Sequence, residues 1–194
     1  MSFLSDRFPA AVRIDGEIYP INTDFRVGIR IMTAFEDTQL TNFEKQAVMC
    51  GLLFQKMPPD FWRACEAARK FLDCGEEPQS KDEDEQPEAK RVYSFTKDAK
   101  FIYSAILQSH NVDLQAEKNL HWWKFCAMFN DLRDDCAFQN IVSLRRRAQK
   151  GKLTKEEQRI WYEMRDILSL EKQEPDPERD AALAQFDRLM KAGD

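Results

Sequence analysis

The chain has 194 residues, of which 43% are hydrophobic and 32% charged, with a net charge of −5. This is enough apolar material for a real core, and the mild charge carries no global signal for nucleic acid or an acidic membrane surface. No run approaches the roughly 20 apolar residues of a membrane helix, and the N-terminal MSFLSDRFPA lacks an apolar core of signal-peptide length, so a cytoplasmic chain is expected.

With only 6 Gly and 8 Pro, and many good helix formers, the composition leans to helix. The expected fold is mainly α, a multi-helix domain with a small N-terminal β-hairpin and an acidic linker in the middle. The hairpin comes first. Val12 and Ile14 alternate with Arg13, Ile18 and Ile21 follow, and Asp15-Gly16 between them is a two-residue turn signal. Pro20 suits a strand end. Asn22-Thr23-Asp24 offers cap oxygens to a helix over 24–37 with Phe25, Ile29 and Met32 on one side. Thr41 and Glu44 form a capping box for a helix reaching about Lys56, ended by Pro58-Pro59. Asp60 caps a third helix carrying Phe61, Ala64, Ala68, Phe71 and Leu72, with Gly75 as its stop.

The acidic run 76–90 holds no large apolar residue and cannot offset its ordering entropy by burial, so it reads as a flexible linker. Beyond it, Thr96 is expected to cap a helix with Ala99, Ile102, Tyr103 and Ile106 on one stripe. A break at Ser109-His110-Asn111 precedes a helix over 115–131, and another covers 135–147. Gly151 interrupts, and Thr154 with Glu157 forms a second capping box. The helix that follows, within 155–170, carries Ile160, Trp161, Met164, Ile167 and Leu168, a stripe read as core-facing. Pro175-Asp176-Pro177 separates a last amphipathic helix, 177–192, with Leu183, Phe186, Leu189 and Met190. The chain divides accordingly into 1–75, 76–90, 91–170 and 171–194.

Chemistry is sparsely signalled. There is no phosphate-cradling glycine loop and no Gly-x-Ser-x-Gly elbow. A Cys126–His121 nucleophilic pair would sit five apart on a helix, poor spacing for contact. His110, His121, Cys126 and Cys136 lack the short spacings of zinc sites. Asp134-Asp135 and Glu156-Glu157 read as helix-dipole partners. Cys50, Cys65, Cys74, Cys126 and Cys136 show no paired motif and read as reduced apolar fillers. No catalytic residue, metal or cofactor is assigned. The basic cluster Arg145, Arg146, Arg147, Lys150, Lys152 and Lys155 has three readings: phosphate binding, a cationic helix end, or docking on an acidic protein.

The densest feature is Leu120-His121-Trp122-Trp123-Lys124-Phe125, continued by Ala127 and Phe129. As a helix it is apolar nearly all round and must be buried on several sides, by its own domain or by a partner. Leu120, Trp123 and Ala127 would share one side. Trp122, Phe125, Phe129 and Leu132 would share another. Together with Arg13-Ile-Asp-Gly-Glu-Ile-Tyr-Pro-Ile-Asn-Thr-Asp-Phe-Arg26, Phe101-Ile-Tyr103, Val112-Asp-Leu114 and Lys155-Glu-Glu-Gln-Arg159, this block resembles the bacteriophage gene-product-fifteen family of long-tailed phages and prophages, over roughly 11–170.

That resemblance implies a non-enzymatic tail assembly chaperone. Members are typically encoded between the major tail protein and the tape-measure protein, and genes in that position commonly encode chaperones that coat the tape-measure rod. The implied partners are the tape-measure and tail tube proteins, with a possible homo-oligomer, no membrane, and nucleic acid disfavoured. The implied location is the host bacterial cytoplasm, with the chain absent from the mature virion. Partner-binding residues expected on this reading are Trp122, Phe125, Phe129, Arg145, Arg146, Arg147, Phe186 and Leu189. The alternatives are a minor structural protein of the tail or neck, and a nucleic-acid-binding regulator using the 145–155 cluster.

Overall fold

In a computed structural model, residues 3–76 and 91–170 are described. The acidic run beyond residue 76 and the helix expected over 177–192, with Phe186 and Leu189, lie outside the described residues. The chain is mainly helical behind a two-stranded antiparallel hairpin, β1 (Ala11–Ile14) and β2 (Glu17–Pro20). The helices are α1 (Phe25–Glu36), α2 (Asn42–Leu53), α3 (Phe61–Leu72), α4 (Ala99–His110), α5 (Trp122–Asn130), α6 (Ala137–Gln149), α7 (Lys155–Glu163) and α8 (Arg165–Leu168). None is long and apolar enough to cross a membrane.

Asp15 and Gly16 turn the hairpin with φ of 51° and 86°, the left-handed pair a two-residue turn requires. Ile14 faces Glu17 across the turn and Ala11 faces Pro20. A lone hairpin is marginal in water, and this one is tied to α2. Asn22 donates its N–H to Leu53 O at 2.7 Å, Gln55 donates to Pro20 O at 3.2 Å, and Phe54 bridges Ile21. That bridge ends α2 at Leu53, ahead of the prolines expected to stop it: Phe54 turns extended to pair with Ile21.

Caps behave locally. Asp24 accepts from Arg26 N, Thr41 and Glu44 form the full capping box, and Asp60 accepts from Trp62 N and Arg63 N. At α3's end Gly75, with φ 78°, donates to Lys70 O at 2.8 Å, the left-handed stop anticipated there. Thr96 is not the cap of α4. Ser94 Oγ accepts from Thr96 N and Lys97 N instead, and Glu36 at the end of α1 accepts from Ser94 Oγ (2.5 Å) and Phe95 N (2.8 Å). The segment re-entering after the acidic run is thus held by a carboxylate from far upstream.

The aromatic helix is shorter than its periodicity suggests. Residues 120–122 pair with 23–25: Phe25 donates to Leu120 O at 2.8 Å and Trp122 to Thr23 O at 2.7 Å. Leu120 and His121 are therefore extended, His121 becomes the N-cap of α5, and α1 and α5 start from one shared bridge. The hydrophobic core is continuous across both sides of the acidic run, from Ile14, Phe25 and Ile31 through Phe71 to Ile106, Phe125 and Phe138.

The stripe of 155–170 is not core. The helix breaks at Met164 into α7 and α8, α7 has no buried residue, and only Leu168 of the stripe is fully interior. Ile160, Met164 and Ile167 face outward, 43%, 40% and 38% exposed.

Candidate partner-binding surfaces

The aromatic block is used inside the chain. Trp122 and Phe125 are buried, and Phe129 is half-buried against Tyr93, Phe95 and Phe138. Phe125 stacks between Phe25 and Trp122, at 5.3 and 5.6 Å. The two indoles have a polar task as well. Trp122 Nε1 donates to Leu72 O at 2.9 Å, in the last turn of α3, and Trp123 Nε1 donates to Phe71 O at 2.7 Å, adding a second donor to a carbonyl that also accepts from Cys74 N at 3.1 Å. Trp122 lies flat on α1 at Gly28, where a Cβ would overlap the ring. The free contact surface expected from Trp122, Phe125 and Phe129 is thus consumed by α1, α3 and the 93–95 segment.

His121 accepts the Trp123 N–H at Nδ1 (3.1 Å) and donates from Nε2 to Pro9 O (3.1 Å). Burial lowers its pKa below the ordinary 6.5, only partly opposed by the Pro9 contact. Cys126 lies with Cys74, not with His121. Their thiol–thiol hydrogen bond pushes Cys74 down and Cys126 up. Cys50 and Cys65 touch at 3.5 Å, and burial raises Cys50 to about 12. All five cysteines are free thiols. Among the described residues no group of His, Cys, Asp and Glu is assembled to hold a metal.

The basic cluster is split. Arg145 is 2% exposed and spends all its donors inside. Nη1 and Nη2 meet the buried Asp98 carboxylate at 2.6 and 2.9 Å, Nε donates to Leu168 O, and the remaining contacts are Val92 O and Ile167 O. Arg147 pairs with Glu157 at 2.7 Å, and Arg146 is exposed. The expectation that Arg145, Arg146 and Arg147 form one docking patch fails at Arg145, because the re-entering segment, α4 and α8 all converge on its guanidinium.

Two other surfaces remain open. The first is a groove of about 560 Å³ between α1, α2 and α3, walled by Met32, Phe35, Met49, Trp62 and Leu72. Trp62 is 66% exposed and meets Phe61 edge-to-face at 5.3 Å between ring centroids, and Phe61 in turn meets the exposed Phe43. Gln46 Oε1 lines this groove, buried and without a hydrogen-bond partner. Glu66, Arg69 and Asp73 rim it, and burial holds the Asp73 carboxyl above its usual range. Methionine walls adapt to varied apolar side chains. Sequence reasoning missed this site. The available signal was Trp62, an indole beside the apolar stripe of α3 rather than on it. The second surface is the outer face of α7 and α8 with a neighbouring groove of about 790 Å³, lined by Leu153, Trp161, Tyr162 and Leu168 with Arg91 and Arg165.

These features define a mainly helical protein whose buried ion pair and indoles serve its own fold and whose open surfaces are one largely apolar groove and one of mixed polar and apolar lining. A protein-family model described as Bacteriophage Gp15 protein matches residues 4–170, and the chain belongs to that family. No curated protein and no solved structure matches it.

Proposed function

We propose that this phage-family protein is a non-enzymatic tail assembly chaperone that binds the tape-measure protein and helps tail tube subunits polymerise around it. The observation that supports contact with a helical rod is the open α1–α3 groove, an adaptable apolar trough with exposed aromatics at its lip. Amphipathic helices are recognised by laying their apolar face into such grooves. A chaperone must bind repeatedly and leave, for which a moderate interface suits better than an obligate one. On this reading the protein acts in the host cytoplasm, carries no cofactor, and is left out of the finished virion.

The test is co-expression with the tape-measure protein in a bacterial host. The tape measure should stay soluble and co-purify with the wild-type chain. It should aggregate with a Phe35→Ser/Trp62→Ser variant whose circular dichroism and melting are unchanged. A tape measure equally soluble without the chain overturns the proposal. Fixed-copy retention in purified virions would instead assign the protein to the tail or neck as a minor structural component.

A further inference from the structure

We propose that Cys74 and Cys126 form a peroxide-reactive dithiol, in which Cys74 attacks the oxidant and Cys126 resolves the product, closing a reversible disulfide between the end of α3 and α5. Four of the free cysteines stand in two touching pairs, Cys50 with Cys65 and Cys74 with Cys126. The pairs differ in access and in thiol chemistry. Cys50 and Cys65 are buried inside α2 and α3, their sulfurs 3.5 Å apart. Burial drives the Cys50 thiol up to about 12, so very little thiolate forms there near neutral pH. Cys74 and Cys126 are both half-buried. Cys126 donates its S–H to the Cys74 sulfur. That bond lowers Cys74 against the opposing effects of burial and of the Glu76 and Asp73 carboxylates, and it raises Cys126.

The seam around the pair fixes their contact. Trp122 and Trp123 of α5 donate to Leu72 O and Phe71 O at the end of α3. Cys126 lies one turn along α5 from the two indoles. Cys74 follows the two carbonyls, held at φ 58° with its N–H on Phe71 O. It sits beyond the last residue of α3, where the backbone can give enough to bring the sulfurs to the ~2.05 Å of a disulfide. The Cys50 and Cys65 sulfurs would have to draw two packed helices together.

The chemistry balances with peroxide as the oxidant. The Cys74 thiolate attacks one peroxide oxygen and the O–O bond breaks. The departing hydroxide takes up a proton as water, leaving Cys74 as a sulfenic acid. Cys126 then attacks the Cys74 sulfur and gives up its proton, and the sulfenic oxygen leaves as a second water. Two thiols are oxidised and one peroxide is reduced. Accessible, low-pKa thiols beside a resolving thiol are the ones oxidised in this reversible way, and in a reducing compartment the bond is transient. Leu72 and Asp73, next to Cys74, wall the α1–α3 groove, so the bond ties that wall to α5.

The experiment treats the purified full chain with hydrogen peroxide, alkylates the remaining thiols in denaturant, and maps the cysteines by mass spectrometry without reduction. A Cys74–Cys126 link within one chain should appear and vanish on dithiothreitol treatment, with Cys50 and Cys65 recovered as alkylated thiols. In a Cys126→Ser variant, whose hydroxyl can still donate to Cys74, dimedone should trap Cys74 sulfenic acid at least about tenfold above wild type. Circular dichroism is the folding control, and the wild-type map decides by itself should the variant misfold. A Cys50–Cys65 bond, a link between chains, or Cys74 recovered without a disulfide overturns the proposal. Equal trapping in a folded variant and wild type overturns the resolving role of Cys126. No partner protein takes part, so the result is independent of the chaperone reading.

Discussion

Replacing Arg145 by alanine should be among the most damaging single changes in this chain. The substitution removes every donor of the guanidinium and leaves the Asp98 carboxylate, itself fully buried, with one remaining donor, the Ser94 N–H at 2.9 Å. Breaking a buried ion pair from one side costs ~3–5 kcal/mol, because the other charge stays desolvated and uncompensated. Val92 O, Ile167 O and Leu168 O lose a charged donor as well, which places the expected loss towards the upper end. At ~2–4 °C per kcal/mol for a chain of this size, the melting midpoint should fall by about 6–20 °C. Urea and thermal unfolding of Arg145→Ala, Asp98→Asn and the double variant would measure it. Each single change should be severe and the double change much less than additive. Arg146→Ala, on the exposed neighbour, should leave the midpoint in place. Arg145→Ala with a wild-type midpoint, or strict additivity in the cycle, would refute the assignment of Arg145 to the interior.

Other outcomes follow from the same geometry. Gly28→Ala should destabilise by about 1–3 kcal/mol or more, since its Cβ meets the Trp122 ring, while Gly51→Ala, with open space at its Cβ, should stabilise by about 0.5–1 kcal/mol through helix propensity. Chemical denaturation of the pair reads the contrast directly. His121 has a lowered folded pKa, so between that value and the ordinary 6.5 the unfolded chain binds more protons. Its contribution is complete above about pH 6.5 and is lost as the pH falls through the folded pKa. His121→Asn, which keeps a capping oxygen, should flatten that part of the stability–pH profile, and parallel profiles would count against it. Among the thiols, iodoacetamide with mass spectrometry should mark Cys74 first, because the Cys126 thiol lowers it, and Cys50 and Cys126 slowly.

Legibility followed distance along the chain. The Asp15-Gly16 turn, the boxes at Thr41 and Thr154, the Asp60 cap and the Gly75 stop each involve groups a few residues apart, so short windows suffice to read them. The errors came where a distant strand or carboxylate intervened. Phe54 pairs with Ile21 and shortens α2, residues 120–122 pair with 23–25 and shorten α5, and Glu36 with Ser94 displaces Thr96 as the organiser of the turn before α4. The candidate site shifted for the same reason. A helical stripe such as Ile160-Met164-Ile167 states that a face is apolar but not whether anything lies against it.

The sequence by itself determined the mainly helical class, the hairpin, most helix starts and, through the aromatic block and its companions, membership of the phage family. Only the tertiary structure decided which apolar and charged groups face inward. Trp122 and Trp123 went to the carbonyls of α3, Arg145 to Asp98 and α8, and Trp62 was left at the lip of an open groove. Backbone conformation is biased by near neighbours. Burial is a property of what the rest of the chain brings alongside, and no local pattern contains it.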